Sequence, residues 1–244
     1  MVADLETGQS LTSSGGVKLR RRVWRAPSAR LAVAVVHGLG DHSGRYERLA
    51  AALGRSGIAC YAVDLRGHGE SPGRRGHVAG WQQWVDDFAA LYELAAEEEQ
   101  EVVPLGHSFG GVVVASAVIR GAITPRRFVL SNPAFRLALQ APGWKLRAGR
   151  VASGVLPTAG FSNEIDPALI SRDPSQVAAY RDDPLVHDRI TARTFTEWQA
   201  ASDEALERAA EVTVPVLALL SGSDRIIDAS GGREFAERTA GPHT

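Results

Sequence analysis

The stretch Val102-Val103-Pro104-Leu105-Gly106-His107-Ser108-Phe109-Gly110-Gly111 decides how the rest of the chain reads. A short apolar run enters Gly-x-Ser-x-Gly, and a helix-compatible run from Val112 to Ile119 follows. The order predicts strand, sharp turn, helix. Gly106 and Gly110 carry no Cβ, so the chain can fold tightly around Ser108 and push its Oγ outward; Gly111 lets the helix approach the strand. The helix N-terminus puts free N–H groups and a positive dipole end beside the hydroxyl. An ordinary glycine turn is the alternative, but the placement between strand and helix favours a nucleophile elbow.

Working outward, Leu31 to Val36 is apolar throughout, as expected of a strand covered on both faces, and it runs into His37-Gly38-Leu39-Gly40. Ile58 to Asp64 is the next strand, leaving through Leu65-Arg66-Gly67-His68-Gly69-Glu70-Ser71-Pro72. Trp81, Trp84, Val85, Phe88, Leu91 and Leu94 recur at helical spacing and read as core. Phe128 to Ser131 is a further strand, stopped by Asn132-Pro133. Upstream, Val17 to Trp24 predicts a hairpin strand, and Arg20, Arg21, Arg22 and Arg25 read as the solvated charges of a sheet edge. This alternation predicts an α/β fold with a mostly parallel central sheet flanked by helices. Between about Ala134 and Arg208 the pattern changes to short amphipathic pieces broken by prolines, a helical cap (134–208) over a discontinuous core of residues 1–133 and 209–244. The sheet resumes at Val214 to Leu220.

Composition narrows the function classes. The chain has 244 residues, 44% apolar and 23% charged, with a formal charge of −1 that gives no reason to expect a nucleic-acid partner. Cys60 is the one cysteine, so no internal disulfide forms. Met1 to Ser10 has no apolar signal core and no run approaches bilayer length, which makes cytoplasmic the default location.

Acyl transfer by a serine needs a base for its proton, a carboxylate to orient the base, and two N–H donors for the oxyanion. The Phe109 N–H, directly after Ser108, and the Leu39 N–H are the expected donors. Asp224, beyond a late strand, is the expected carboxylate, with Asp228 as a rival that also reads as a helix cap.

At this point the chain resembles the α/β-hydrolase superfamily and, within it, the monoacylglycerol lipase and lysophospholipase group. The resemblance rests on His37-Gly38-Leu39-Gly40-Asp41-His42-Ser43-Gly44-Arg45-Tyr46, Asp64-Leu65-Arg66-Gly67-His68-Gly69-Glu70-Ser71, Arg75-Gly76-His77-Val78, Gly106 to Gly111 and Gly222-Ser223-Asp224-Arg225-Ile226-Ile227-Asp228. Ser171-Arg172-Asp173-Pro174 and Asp182-Asp183-Pro184-Leu185-Val186-His187 resemble the group's cap. It implies hydrolysis of a lipid ester at Ser108, a lid that receives the acyl chain, and no metal or organic cofactor; the apolar residues of the insertion's first part predict peripheral membrane or micelle contact. Phe135, Leu137, Leu139, Trp144, Leu146 and Val151 are the expected apolar contact residues.

The family's order of Ser, Asp, His is interrupted here. His243 is the one histidine after Asp224, and Gly241-Pro242-His243-Thr244 resembles the approach to a last strand rather than a histidine loop. The expectation is therefore a chain lacking that strand, the catalytic histidine and the final helix, nearly inactive and prone to aggregate through an uncovered Val214–Leu220 edge. His243 remains a weak candidate base. His37 is expected to brace the oxyanion loop, His42, His68 and His77 to sit in loops that shape the floor of the site, His187 to belong to the cap motif, and His107 to point away from Ser108. A non-catalytic lipid-binding protein on the same fold, a peptidase and a perhydrolase stay open as alternatives.

Overall fold

The computed structural model describes residues 4–6, 9–138 and 143–244. Strands β1 (Asp4–Glu6), β2 (Ser10–Thr12) and β3 (Lys18–Arg25) come first. β4 (Leu31–Val36), α1 (Glu47–Arg55), β5 (Ala59–Val63), α2 (Gln82–Glu98), β6 (Glu101–His107), α3 (Phe109–Ile119) and β7 (Phe128–Ser131) follow. The insertion carries α4 (Gly143–Val155), β8 (Gly160–Ser162), α5 (Pro174–Arg181), β9 (Arg189–Thr191) and α6 (Ala192–Glu207), and the chain returns through β10 (Val216–Leu219) and α7 (Ala229–Arg238).

The main sheet has the order β1-β3-β5-β4-β6-β7-β10, with β2 also on β3. Neighbours from β5 to β10 pair parallel, while β3 runs antiparallel to β5. The period-2 alternation of a strand divides its apolar side chains between two layers. Ala32, Ala34 and Val36 of β4, with Ala59, Tyr61 and Val63 of β5, enter the larger core shared with α2, α3 and α6. Val33, Val35, Cys60 and Ala62 join Trp24 and Ala50 on the face covered by α1. Both faces are buried, which is why these strands are apolar throughout.

Four expectations change against this architecture. β3 lies inside the sheet, between β1 and β5, and Arg22 is buried: its guanidinium ion-pairs with Asp64 (3.1 Å) and Glu70 (2.7 Å) and hydrogen-bonds Ser43 Oγ. Arg22 therefore serves an internal network, not a solvated edge. The insertion also contains a two-stranded antiparallel ribbon, β8 with β9. Its last helix returns to the core, where Trp198, Ala201, Ala205 and Leu206 are buried and Trp198 Nε1 donates to the Ala134 carbonyl (3.1 Å). We therefore place the end of the cap near Thr191 rather than at 208. Finally, residues 242–244 run alongside β10 in a parallel sense, with the Val216 N–H on the Pro242 carbonyl (3.0 Å) and the Ala218 N–H on Thr244 (2.8 Å). Part of that edge is covered, though Leu217 and Leu219 remain 40% and 50% exposed.

The buried Arg22–Asp64 pair gives a stability test. Removing one partner strands the other charge in a dry site, so Arg22→Met is expected to lower unfolding free energy by about 3 kcal/mol in urea denaturation. A loss under about 0.5 kcal/mol would return Arg22 to the class of solvated surface charges.

Candidate active site

Ser108 sits at φ 54°, ψ −120°, between the end of β6 and the start of α3. A non-glycine residue holds such a conformation only where its surroundings over-determine it. The Ser108 N–H donates to the Ser131 carbonyl (2.9 Å), and the Ser108 carbonyl accepts from Gly111 (2.9 Å) and Ala134 (3.0 Å). The glycines are a packing requirement. A Cβ at Gly106 would lie 2.4 Å from the Gly110 carbonyl oxygen, and one at Gly110 would lie 2.5 Å from those of Val36 and His37.

Ser108, Leu39, Phe109 and Asp224 line one cavity of about 860 Å³ beneath the insertion. The N–H groups of Leu39 and Phe109 have no hydrogen-bond partner among the described residues; helix geometry leaves the second unpaired. The Phe109 ring is buried edge-on among Trp81, Trp84 and Trp198, at centroid distances of 5.1, 5.0 and 5.4 Å, so Trp81 and Trp84 are core, as their spacing implied. Apolar walls come from Phe161, Ile165, Leu169, Ile190 and Phe195. A polar region holds Asp41 and Arg45, paired at 3.1 Å, with the guanidinium over the Tyr180 ring at 5.0 Å. Burial pushes the Asp41 carboxyl up to about 6.

Asp224 is fixed on both oxygens. Its Oδ1 accepts from the N–H groups of Ile226 (2.8 Å) and Ile227 (2.9 Å), and its Oδ2 from Asn132 Nδ2 (3.1 Å). Asp228 instead caps α7 by accepting from the Ser230 N–H, which explains its place in the motif.

No histidine bridges Ser108 and Asp224. His243, exposed, bridges to Val216 at the start of β10, whereas Asp224 follows the end of that strand. The two are at opposite ends of a parallel strand, so the structure does not bring His243 to the site. His107, expected to point away from Ser108, lines the same cavity, and its Nδ1 is hydrogen-bonded to Ser131 Oγ (3.1 Å). The other rings brace loops. His37 Nε2 accepts from the Leu65 N–H (3.1 Å), which leaves Nδ1 to donate to the Gly38 carbonyl (2.8 Å). His42 Nε2 meets Asp183 Oδ2 (2.9 Å), His187 Nε2 meets the Gly67 carbonyl (3.1 Å), and His77 Nδ1 meets Thr191 Oγ1 (3.0 Å), each joining core to insertion.

An elbow serine on a parallel sheet, with two unpaired N–H groups and a fixed carboxylate around one cavity, defines an α/β-hydrolase. The chain belongs to the serine aminopeptidase S33 family, whose model matches residues 27–244. It is similar to the monoacylglycerol lipase of Mycolicibacterium smegmatis, 32% identical over 98% of this chain and 87% of that protein. It is also similar to the monoglyceride lipase of Homo sapiens, 32% identical over 91% of this chain and 74% of the other. The crystal structure of Paleococcus ferrophilus monoacylglycerol lipase superposes with a TM-score of 0.82 at 32% identity, covering 93% of this chain and 88% of that one.

The braced histidines make stability depend on pH. Burial pushes His37 from 6.5 down to about 4, and it lowers buried His68 well below its ordinary value. Below pH 6.5 the unfolded chain gains protons that the folded chain refuses, so folding stability falls between pH 6.5 and 4, by about 3 kcal/mol for His37 alone. Asp41, with its raised carboxyl, acts in the opposite sense over the lower part of that window. Urea denaturation of wild type and His37→Asn from pH 7.5 to 4.5 isolates the term. The wild type is expected to lose its advantage as pH falls; a constant difference would contradict a neutral, buried His37.

Proposed function

We propose that this protein is a serine hydrolase of carboxylic lipid esters, with monoacylglycerol, or a lysophospholipid, as substrate. Ser108 is the nucleophile, the Leu39 and Phe109 N–H groups receive the oxyanion, and Asp224 orients the base. The strained Ser108, opening into an apolar-walled cavity beside two unpaired N–H groups, carries this reading. In the reaction Ser108 Oγ attacks the ester carbonyl carbon, and the proton leaves to an imidazole and then to the departing alcohol. Water repeats the sequence to free the fatty acid. The N–H donors act where charge develops, so they stabilise the transition state more than the bound ester. Asp41, Arg45 and Tyr180 suit the hydroxyl groups of the head, and the apolar walls suit the acyl chain.

The base is the one member of this machinery that the seven histidines do not supply at the site. A second reading on the same fold is a lipid-binding protein with an unactivated Ser108. Imidazole in solution separates the two. For the 244-residue chain, added imidazole is expected to raise hydrolysis of a short-chain chromogenic ester above the protein-free imidazole rate, and Ser108→Ala to abolish that rise. A rise that survives Ser108→Ala, or none at all alongside tight fatty-acid binding, would support the binding protein.

We further propose that the insertion meets a lipid surface. Val151, Val155, Leu156 and Phe161 are 68%, 73%, 62% and 46% exposed, around the end of α4 and on β8. Of the residues the sequence suggested, Val151 belongs to this patch; Phe135 is buried, stacked on Phe235 at 4.8 Å, Leu137 lines the cavity, and Leu139 and the side chains of Trp144 and Leu146 lie outside the described residues. Exposed apolar residues on the insertion, one of which, Phe161, also lines the cavity, suit interfacial contact. No helix among the described residues is long and apolar enough to cross a membrane. Val155→Asp with Leu156→Asp is expected to reduce co-sedimentation with phosphatidylcholine vesicles several-fold; unchanged co-sedimentation would remove this surface.

A further inference from the structure

We propose that Asn132 is a positioning residue for Asp224, and that it sets which lone pair of the carboxylate faces the catalytic imidazole. The inference rests on the reading of Asp224 as the orienting carboxylate. Asn132 follows β7, lines the cavity and holds φ 42°, in the left-handed region that asparagine tolerates better than most residues. Its N–H donates to the Leu219 carbonyl (2.8 Å), which extends the β7–β10 pairing by one residue and pins the backbone.

The side-chain amide then has one workable orientation. Oδ1 accepts from the Ser221 N–H at 2.6 Å, and Nδ2 donates to Asp224 Oδ2 at 3.1 Å. Reversing it would set an oxygen against a carboxylate oxygen and an NH2 against an N–H, leaving both contacts repulsive. Ser221 is the second residue after β10 and Asp224 lies three positions on, so Asn132 grips both ends of the loop that carries the carboxylate.

With Oδ1 of Asp224 occupied by Ile226 and Ile227 and one side of Oδ2 by Asn132, a single direction on Oδ2 is left for a base. Without the amide, the carboxylate can turn about its Cβ–Cγ bond and lose the direction in which it holds an imidazole. The isosteric Asn132→Asp keeps the shape but replaces the donor by a second carboxylate against the first. Asn132→Gly keeps the positive φ and removes the side chain altogether.

The test uses the 244-residue chain with added imidazole as base. Turnover, substrate KM and the half-saturating imidazole concentration are measured for wild type, Asn132→Gly, Asn132→Asp and Asp224→Ala, with thermal melts to verify folding. Loss of a hydrogen bond to a charged group corresponds to a fall of roughly tenfold or more. The two Asn132 variants are expected to show that fall in imidazole-dependent turnover, a raised half-saturating imidazole and an unchanged substrate KM. A structural role would not separate imidazole from substrate in this way. Wild-type imidazole dependence in both folded Asn132 variants, alongside its loss in Asp224→Ala, overturns the inference and leaves the role of Asp224 intact. Wild-type behaviour in all three variants removes Asp224 from the mechanism and the inference with it. If Asn132→Gly does not fold, Asn132→Asp decides by the same criteria.

Discussion

The first turn of α3 lies so close to the end of β4 that no Cβ fits between them: at Gly110 it would stand 2.5 Å from the carbonyl oxygens of both Val36 and His37. Contact at that range fixes the helix against the strand without a side chain as spacer, and interiors packed this densely relax little. The same contact relates the two loops on which the chemistry rests. Ser108 precedes α3 and Leu39 follows β4, and a Cβ at the intervening Gly38 would lie 3.6 Å from Ser108 Cβ. The proposed nucleophile and its proposed N–H donor are thereby held by one backbone approach, at the price of a positive φ at Ser108.

The loop after β4 is held from beneath by a buried polar network. Asp64, fully buried, accepts from the Ser43 N–H (2.7 Å), the Glu70 N–H (2.8 Å) and Arg22, and also from Ser43 Oγ. Burial alone would push its carboxyl up; the His37 ring and the donors of Ser43 and Glu70 outweigh that and hold it below the ordinary value. The insertion rests on the same loops: the His187 N–H donates to the Gly40 carbonyl (2.9 Å), and a Cβ at Gly40 would lie 2.1 Å from the His187 carbonyl oxygen. Fold, oxyanion loop and cap are parts of one packed arrangement, so a change in any of the three is felt at Ser108.

What the sequence revealed and what it hid follow from the range of the interactions. The elbow, the apolar strands and the Asp228 cap are local, each readable within a few residues, and the carboxylate motif brings Asp224 to the same cavity as Ser108. Arg22 was not legible, because its carboxylate partners lie more than 40 positions away and a basic strand ordinarily signals solvent. The return of α6 to the core was hidden similarly: its apolar stripe could cover a cap or a sheet, and only the packing of Trp198 on Phe109 decides. Asn132 could be read only as a strand stop, since the Asn132–Asp224 contact spans 92 positions. Chain order alone makes His243 a candidate base, and it is the direction of β10 that separates it from Asp224.

The claim on which the rest depends is that Ser108 Oγ, Leu39 N–H and Phe109 N–H converge on one reacting carbon beneath the cap. A crystal structure of the protein after reaction with a long-chain alkyl phosphonate measures that convergence directly. The account predicts phosphorus bonded to Ser108 Oγ, its oxygen within hydrogen-bond distance of both N–H groups, and the alkyl chain along Phe161, Ile190 and Phe195. A phosphonyl oxygen turned away from Leu39 and Phe109, or an adduct on any other residue, would contradict it.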